Sequence, residues 1–194
     1  MLKITLATGN SHKAEEINII AKEYNIEFVV PEGEFNPTED GDNFLDNAYC
    51  KAKYASKIGN TELYLADDSG LCVEALNGEP GIYSARYAET PKLRIQKLLS
   101  NMQNIKNRRA KFVCAMVVTD KNGNILFKTQ QECLGYIMEK EKGEGGFGYD
   151  PIFFVDDMQK GMAELTKEEK AQVSHRAKSL NKVLNWIKNE YNKK

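Results

Sequence analysis

Apolar residues alternate at Leu2, Ile4 and Leu6 and then recur at three-and-four spacing from Ala14 to Tyr24. The first pattern predicts a β-strand and the second predicts a helix. Residues 8–13 between them, which we call the N-terminal turn, therefore connect a strand to a helix. Such a turn presents backbone N–H groups and the positive end of a helix dipole, and Lys13 adds a cation. The pattern thus favours a phosphate site, with a well-capped structural connection as the alternative.

The rest of the chain continues this mixture of periods. Short apolar runs bounded by turn residues predict further strands at 26–30, 63–66, 110–119, 125–136 and 152–155. Helical spacing predicts helices at 43–58 and 93–102, and a capping box at 166–169 starts a helical region that runs to the C-terminus. Strands that alternate with helices, plus one hairpin at Asn122-Gly123, predict a single α/β domain over 1–194 with a mixed sheet.

Composition narrows the class of protein. The 194 residues are 41% hydrophobic and 28% charged, an ordinary balance for one packed domain. A formal charge of −1 and a pI near 6.2 argue against nucleic-acid binding. The apolar runs are too short to cross a bilayer and no secretory signal pattern opens the chain, so we expect a cytoplasmic protein without membrane contact. Four widely separated cysteines predict reduced thiols rather than a zinc site.

An acidic pair, Asp67-Asp68, follows the short strand predicted at 63–66 and precedes Ser69-Gly70. Open α/β sheets bind ligands at the carboxyl ends of strands, so this pair is the strongest catalytic candidate. Adjacent side chains of an extended chain point to opposite faces, so one carboxylate should face the substrate and the other should anchor the turn. A solvated acidic turn is the alternative.

The acidic loop at 31–42 offers Glu39 and Asp40 as partners for Asp68. Mg²⁺ favours one or two carboxylates completed by waters and substrate phosphates, so this sparse acidic set suits a nucleotide-bound magnesium ion. A solvated acidic loop explains the spacing equally well.

Two segments in the C-terminal third offer contacts for a flat polar ligand. Glycines around Phe147 allow close backbone approach while the ring stacks, and Asp150 can accept hydrogen bonds; a tight turn with a core phenylalanine is the alternative.

On one continuous helix His175 and Arg176 would diverge by about 100°. A break near 172–173, with Ser174 capping a new helix and Lys170 in the preceding loop, would bring three donors together. The alternative is a solvated helix face without a binding role.

Together these motifs resemble the inosine triphosphate pyrophosphatase family, whose members hydrolyse non-standard purine nucleoside triphosphates to the monophosphate and pyrophosphate. The resemblance rests on motifs that span nearly the whole chain: TGNSHK at 8–13, EDGDNFLDNA at 39–48 with Lys51, ADDSGL at 66–71, PGIYSARY at 80–87, NRRAKF at 107–112, GGFGYDPIF at 145–153 and AELTKEEK with SHR at 163–176. Asn43 stands where the family usually has serine or threonine, Thr38 where some relatives are acidic, and 156–161 lacks a proline and a hydroxyl residue common in relatives.

The resemblance implies an elongated mixed-sheet α/β fold with two lobes flanking a central cleft, and a homodimer. It implies that Asp68 and Lys51 are catalytic, and that Asp68 with Glu39 binds Mg²⁺. It further implies substrate-binding residues in four groups: Thr8, Gly9, Asn10, Ser11, His12 and Lys13 at the phosphates; Ser69; Phe147, Gly148, Tyr149 and Asp150 at the base; and Lys170, His175 and Arg176, the last two at the six-position oxygen.

These implied roles agree with nucleotide chemistry. Hypoxanthine and xanthine present a carbonyl acceptor at position six where adenine presents an amine donor, so donors from His175 and Arg176 would select the former. Two other functions compete with this one. A Maf-type pyrophosphatase of other base preference is disfavoured by GGFGYDP and SHR, and a non-catalytic nucleotide sensor is disfavoured by Asp68 and the accompanying cations.

Overall fold

The computed structural model describes residues 1–31 and 35–191. Its strands are β1 Leu2–Leu6, β2 Ile26–Val29, β3 Leu63–Val73, β4 Arg109–Asp120, β5 Ile125–Ile137, β6 Phe153–Val155 and β7 Lys160–Gly161. Its helices are α1 Ser11–Ile20, α2 Phe44–Ile58, α3 Pro91–Asn101, α4 Lys167–Val173 and α5 His175–Trp186, and a π-helical turn, Ile187–Tyr191, follows α5.

The seven strands form one sheet in the order β2-β1-β3-β4-β5-β6-β7. β1 runs parallel to both β2 and β3, with Ile4 opposite Phe28 on one side and Leu63 on the other. β6 runs antiparallel to β5 and to β7. The predicted mixed α/β sheet is therefore confirmed, and only the two-residue β7 was not predicted.

The chain divides into two compact units. Unit 1 comprises Met1–Asp68, Cys114–Gln131 and Arg176–Lys194, and unit 2 comprises Ser69–Val113 and Glu132–His175. The boundary between the units falls within β3, within β4 and within β5, and again between the first and second residues of α5. The single domain over 1–194 and the cleft between lobes stay predictions.

Each unit has its own apolar core. In unit 1, β1 and β3 contribute Ile4, Leu6, Leu63 and Leu65, which pack with Ile17 of α1 and with Leu180, Val183 and Leu184 of α5. In unit 2, Leu71 and Val73 of β3 pack with Ile95 and Leu98 of α3 and with Ile152, Phe153 and Val155 around β6. These cores fix the strands and helices from which the polar residues of each unit project.

Most predicted element boundaries agree with the structure to within two residues, but β3 does not. The prediction ended this strand at Ala66, whereas β3 continues through Asp67 and Asp68 to Val73. The acidic pair therefore lies inside a buried strand rather than after its end. Among the helices that the structure describes, none has the length and apolar character needed to traverse a bilayer.

Candidate active site

The N-terminal turn joins β1 to α1, as predicted, and Asn10 caps the helix. Its Oδ1 accepts hydrogen bonds from the backbone N–H groups of His12 at 3.0 Å and Lys13 at 3.3 Å, and Thr8 Oγ1 accepts from Asn10 N at 3.1 Å. These two helix N–H groups are therefore already paired, which corrects the expectation that the turn presents them free to a ligand. Gly9, Asn10, Ser11 and His12 are exposed.

Asp67 is the anchoring member of the acidic pair. It is 1% exposed, and its Oδ2 lies 2.9 Å from Lys13 Nζ and 3.3 Å from a terminal nitrogen of Arg176. Burial alone would raise the pKa of Asp67, but Lys13 and Arg176 outweigh it and hold that pKa well below the ordinary 3.8. Asp67 is therefore an ionised carboxylate that fixes the position of Lys13.

Asp68 projects to a different set of partners, as strand alternation predicts. Its Oδ1 lies 2.7 Å from Lys51 Nζ on α2, and its Oδ2 accepts from Asn47 Nδ2 at 3.3 Å. Burial raises the pKa of Asp68 above 3.8, although Lys51 works in the opposite direction. A carboxyl group with a raised pKa is a better proton acceptor, which suits the predicted catalytic role.

Lys51 links the two carboxylates that were predicted to bind a metal. Its Nζ lies 3.3 Å from Glu39 Oε1 as well as 2.7 Å from Asp68 Oδ1. Burial tends to lower the pKa of Lys51, but Asp68, Asp67 and Glu39 together raise it above 10.5, so the lysine stays charged. Asn47 and Lys51 are four residues apart on α2, so they share one helix face, and this face meets Asp68.

Arg176, the second residue of α5, belongs to this group in unit 1. Its guanidinium, 1% exposed, donates to Glu16 on α1 and to Asp67. Burial works against the charged form, but Asp67 and Glu16 raise the pKa of Arg176 above its ordinary value. Both contacts are with carboxylates of unit 1, and the predicted part of Arg176 in base recognition stays a prediction.

We call these residues the acid–lysine cluster: Lys13, Glu16, Glu39, Lys51, Asp67, Asp68 and Arg176. Among the described residues of the cluster, three cations face four carboxylates. A triphosphate would add several negative charges to a group that already has one carboxylate in excess, so further positive charge is needed. Within residues 1–31 and 35–191, no three His, Cys, Asp or Glu side chains form a metal site. The predicted Mg²⁺ site at Asp68 and Glu39 stays a prediction; the structure shows both carboxylates paired with Lys51.

The glycine-rich loop of unit 2 is organised by Asp150. Its Oδ2 accepts from the backbone N–H of Phe147 at 2.8 Å and from Lys170 Nζ at 2.7 Å. Gly146 has φ +73°, and a side chain there would collide with the Asp150 carboxylate. Lys170 Nζ also lies 5.0 Å from the centre of the Phe147 ring, within the range of a cation–π contact. The loop therefore holds an aromatic ring at a fixed position.

Other predicted residues of unit 2 have varied surroundings. Tyr149 lies in the core, 4% exposed, and its hydroxyl donates to the Ser84 carbonyl at 3.0 Å. Gly148 has φ +63°, which favours glycine, and Ser69 is half-buried on β3. The contacts of these three residues with substrate stay predictions.

The helix break at Ser174 is confirmed, since α4 ends at Val173 and α5 begins at His175. Lys170 lies on α4, however, and not in a loop as predicted. His175 stacks on Phe112 of β4, with ring centroids 4.9 Å apart and planes 12° apart. The three predicted donors thus have different partners: Asp150 for Lys170, Phe112 for His175, and Glu16 with Asp67 for Arg176.

Sequence reasoning missed three residues that contact the predicted ones. Glu16 is three residues after Lys13 on α1, so helical spacing indicated a shared face. Asn47 is four residues before Lys51 within the predicted helix 43–58, a spacing that indicates a shared face but no role for the asparagine. Phe112 lies in the apolar run of β4, where nothing in the pattern distinguishes a partner of histidine from any other core residue.

Solved structures show the same fold. The HAM1 protein from Coxiella burnetii has a TM-score of 0.84 and 36% identity, and the Staphylococcus aureus Ham1 protein has 0.85 and 38%. Each comparison covers 97% of this chain and 99% of the other. Fold and site thus define an α/β protein of Ham1 type with an acid–lysine cluster around the buried Asp67 and Asp68.

The Ham1 family model matches residues 4–186, and the chain belongs to this family. A curated relative from Treponema denticola, named dITP/XTP pyrophosphatase, is 44% identical over 195 residues, which cover 96% of this chain and 99% of the relative. A Synechocystis protein of the same name is 40% identical over 184 residues, covering 95% and 94%. These matches confirm the resemblance that the sequence motifs indicated.

Proposed function

We propose that this protein hydrolyses non-standard purine nucleoside triphosphates, such as the inosine and xanthosine forms and their deoxy counterparts, to the monophosphate and pyrophosphate. The observation that carries the proposal is Asp68: a buried carboxylate of raised pKa, paired with Lys51 and neighboured by Glu39. Relatives that match the whole chain carry the name dITP/XTP pyrophosphatase, which fits this chemistry. The substrates belong to the nucleotide pool, so we place the activity in the cytoplasm.

The acid–lysine cluster binds the triphosphate in this proposal. Substrate phosphates compete with Asp68 and Glu39 for Lys51, and with Asp67 for Lys13. Asp68 then orients a water molecule, takes its proton as the oxygen attacks the α-phosphorus, and pyrophosphate leaves.

Asp68 and Glu39 would hold a divalent cation, which we propose is Mg²⁺. When bound, that cation would neutralise charge on the phosphate oxygens. The excess of carboxylates over cations in the cluster supports this requirement, because the triphosphate would otherwise meet net repulsion. Removal of divalent cations with EDTA should therefore abolish turnover, and Mg²⁺ should restore it.

Base selection, in this proposal, belongs to Phe147, His175 and Arg176. Phe147, held by Asp150, stacks on the purine, and His175, held against Phe112, donates to the six-position carbonyl. Adenine places an amine donor at that position, so the two donors would oppose each other. Arg176 is a further candidate donor if it exchanges Glu16 or Asp67 for the base.

A substrate panel tests the proposal. Pyrophosphate release with Mg²⁺ should give a kcat/KM for inosine and xanthosine triphosphates at least about a hundredfold above that for adenosine triphosphate. Preference for a pyrimidine nucleotide would favour the Maf-type alternative. Tight binding of inosine triphosphate without release of any product would favour a nucleotide sensor.

We also propose a homodimer. Large apolar side chains are exposed on β5, where Ile125 is 45% and Leu126 38% exposed, and a second copy would cover such residues. Sedimentation equilibrium should give twice the 22.0 kDa chain mass, and a monomer at micromolar concentration would contradict the proposal.

A further inference from the structure

Asn47 is a fully buried polar residue, 0% exposed, to which the sequence motifs assign no role. It lies on α2, one turn before Lys51. Its Oδ1 accepts a hydrogen bond from the backbone N–H of Gly41 at 2.9 Å, and its Nδ2 donates to Asp68 Oδ2 at 3.3 Å. Because an N–H only donates and an ionised carboxylate only accepts, these partners fix the orientation of the amide.

Gly41 approaches Asn47 at a distance that only glycine allows. A Cβ at position 41 would lie 2.8 Å from Asn47 N and 2.9 Å from Asn47 Oδ1, closer than such atoms pack. Gly41 is two residues after Glu39, whose carboxylate lies 3.3 Å from Lys51 Nζ. The same side chain therefore contacts both the loop that carries Glu39 and the strand that carries Asp68.

The two oxygens of Asp68 receive different kinds of partner. Lys51 pairs with Oδ1 at 2.7 Å, whereas the neutral amide of Asn47 pairs with Oδ2. A neutral donor can orient a carboxylate without cancelling the negative charge that a base or cation ligand needs. The proposed movement of Lys51 toward phosphate does not itself break this hydrogen bond.

We infer that Asn47 is a positioning residue for the reaction: it sets the orientation of the Asp68 carboxylate and holds the Glu39 loop against α2. The inference rests on the proposed pyrophosphatase function and deepens it. Residues that orient catalytic carboxylates in this way typically change activity by about 10- to 100-fold when replaced. Asn47 contacts neither base nor phosphate in this account, so its loss should act on turnover rather than on nucleotide binding.

Three variants separate the two hydrogen bonds. Asn47→Asp keeps an oxygen for the Gly41 N–H but presents a second carboxylate oxygen to Asp68. Asn47→Ala removes both bonds. Gly41→Ala leaves the asparagine intact and displaces the loop. Asn18→Ala is the matched control, because Asn18 is an exposed asparagine on α1 whose amide donates only to the Ala14 carbonyl among the described contacts.

The measurements are kcat and KM for deoxyinosine triphosphate, the Kd by calorimetry of its α,β-imido analogue, whose bridging nitrogen blocks the cleaved bond, and the Tm. For Asn47→Asp we expect kcat to fall about 10- to 100-fold, with the analogue Kd changed less than about threefold. Gly41→Ala should lower kcat in the same way, Asn47→Ala should lower both kcat and Tm, and Asn18→Ala should match the wild type.

Wild-type kcat in Asn47→Asp, in a protein whose wild type is active, would overturn this inference alone. A loss confined to binding of the analogue would also overturn it. So would a loss of activity that is fully explained by the fraction of protein that is unfolded. A wild type that releases no pyrophosphate would overturn the proposed function and this inference with it.

Discussion

Replacing Asp68 by asparagine isolates the charge of the proposed base from its shape. The carboxylate contacts Lys51 at 2.7 Å and Asn47 at 3.3 Å, and asparagine has nearly the same volume. Because the pKa of Asp68 is raised in the folded protein, the fold disfavours its negative charge, and a neutral isostere should cost little. One amide oxygen can still accept from Lys51, so we expect a loss of about 1 to 2 kcal/mol in the free energy of unfolding.

Turnover should respond far more strongly than stability. A positioned general base contributes about 10²- to 10⁴-fold to rate. At about 1.4 kcal/mol per tenfold, this corresponds to roughly 3 to 5 kcal/mol in the barrier. Nucleotide affinity should change much less than turnover: the substitution removes a negative charge near the phosphates but also one of the two proposed Mg²⁺ ligands, and Lys51 stays paired with Glu39 at 3.3 Å.

The assay measures kcat from pyrophosphate release and Kd from calorimetry with the imido analogue of deoxyinosine triphosphate. Asp46→Asn is the matched control, since Asp46 is an exposed aspartate in the first turn of α2 whose Oδ2 accepts from Asn43. Equal losses of affinity and turnover in Asp68→Asn, or a kcat within threefold of the wild type, would refute the reasoning.

Four further predictions follow from the contacts of the site. Lys13→Ala should raise Kd by about 10- to 100-fold for every nucleoside triphosphate alike, as expected for a charged hydrogen bond, and a loss selective for one base would contradict it. Phe112→Leu removes the ring on which His175 stacks at 4.9 Å, so the preference for inosine over adenosine triphosphate should fall about 2- to 12-fold. An unchanged ratio of the two kcat/KM values would exclude this role. Arg176→Ala leaves the buried carboxylate of Asp67 with one cation fewer, and urea unfolding should show a loss of about 3 to 5 kcal/mol, whereas a loss below 1 kcal/mol would be evidence against the buried pair. Folding lowers the pKa of Asp67, so its ionised carboxylate stabilises the fold above about pH 3.8, and this stabilisation is lost as the pH falls further. The difference in the free energy of unfolding between wild type and Asp67→Asn should therefore shrink from about pH 6 to about pH 3. A constant difference would contradict the lowered pKa.

Local patterns were sufficient for most of the fold. Alternation predicted β1, helical spacing predicted α2, and the capping box predicted the start of α4 at Thr166, whose side chain accepts from Glu169 N. These signals are local in the sequence, so a single chain reveals them. The break at Ser174 was predicted for the same reason.

The continuation of β3 through Asp67 and Asp68 could not be predicted in this way. Two adjacent acids predict the end of a buried strand, because buried carboxylates need cations beside them. Here those cations, Lys13 and Lys51, come from α1 and α2, which are distant in the sequence. The contact of Asn47 with Gly41 and Asp68 likewise depends on chain segments that only tertiary structure brings together. The motifs therefore indicated candidate site residues, whereas the pairing of those residues could not be predicted.

The most direct test of the account follows the oxygen of the attacking water. Hydrolysis of deoxyinosine triphosphate in ¹⁸O-labelled water with Mg²⁺ should place the label in the monophosphate and none in the released pyrophosphate, because Asp68 directs water at the α-phosphorus. Over the same reaction time, Asp68→Asn should give no ¹⁸O-labelled monophosphate. Label in pyrophosphate, or release of orthophosphate as the first product, would contradict the account.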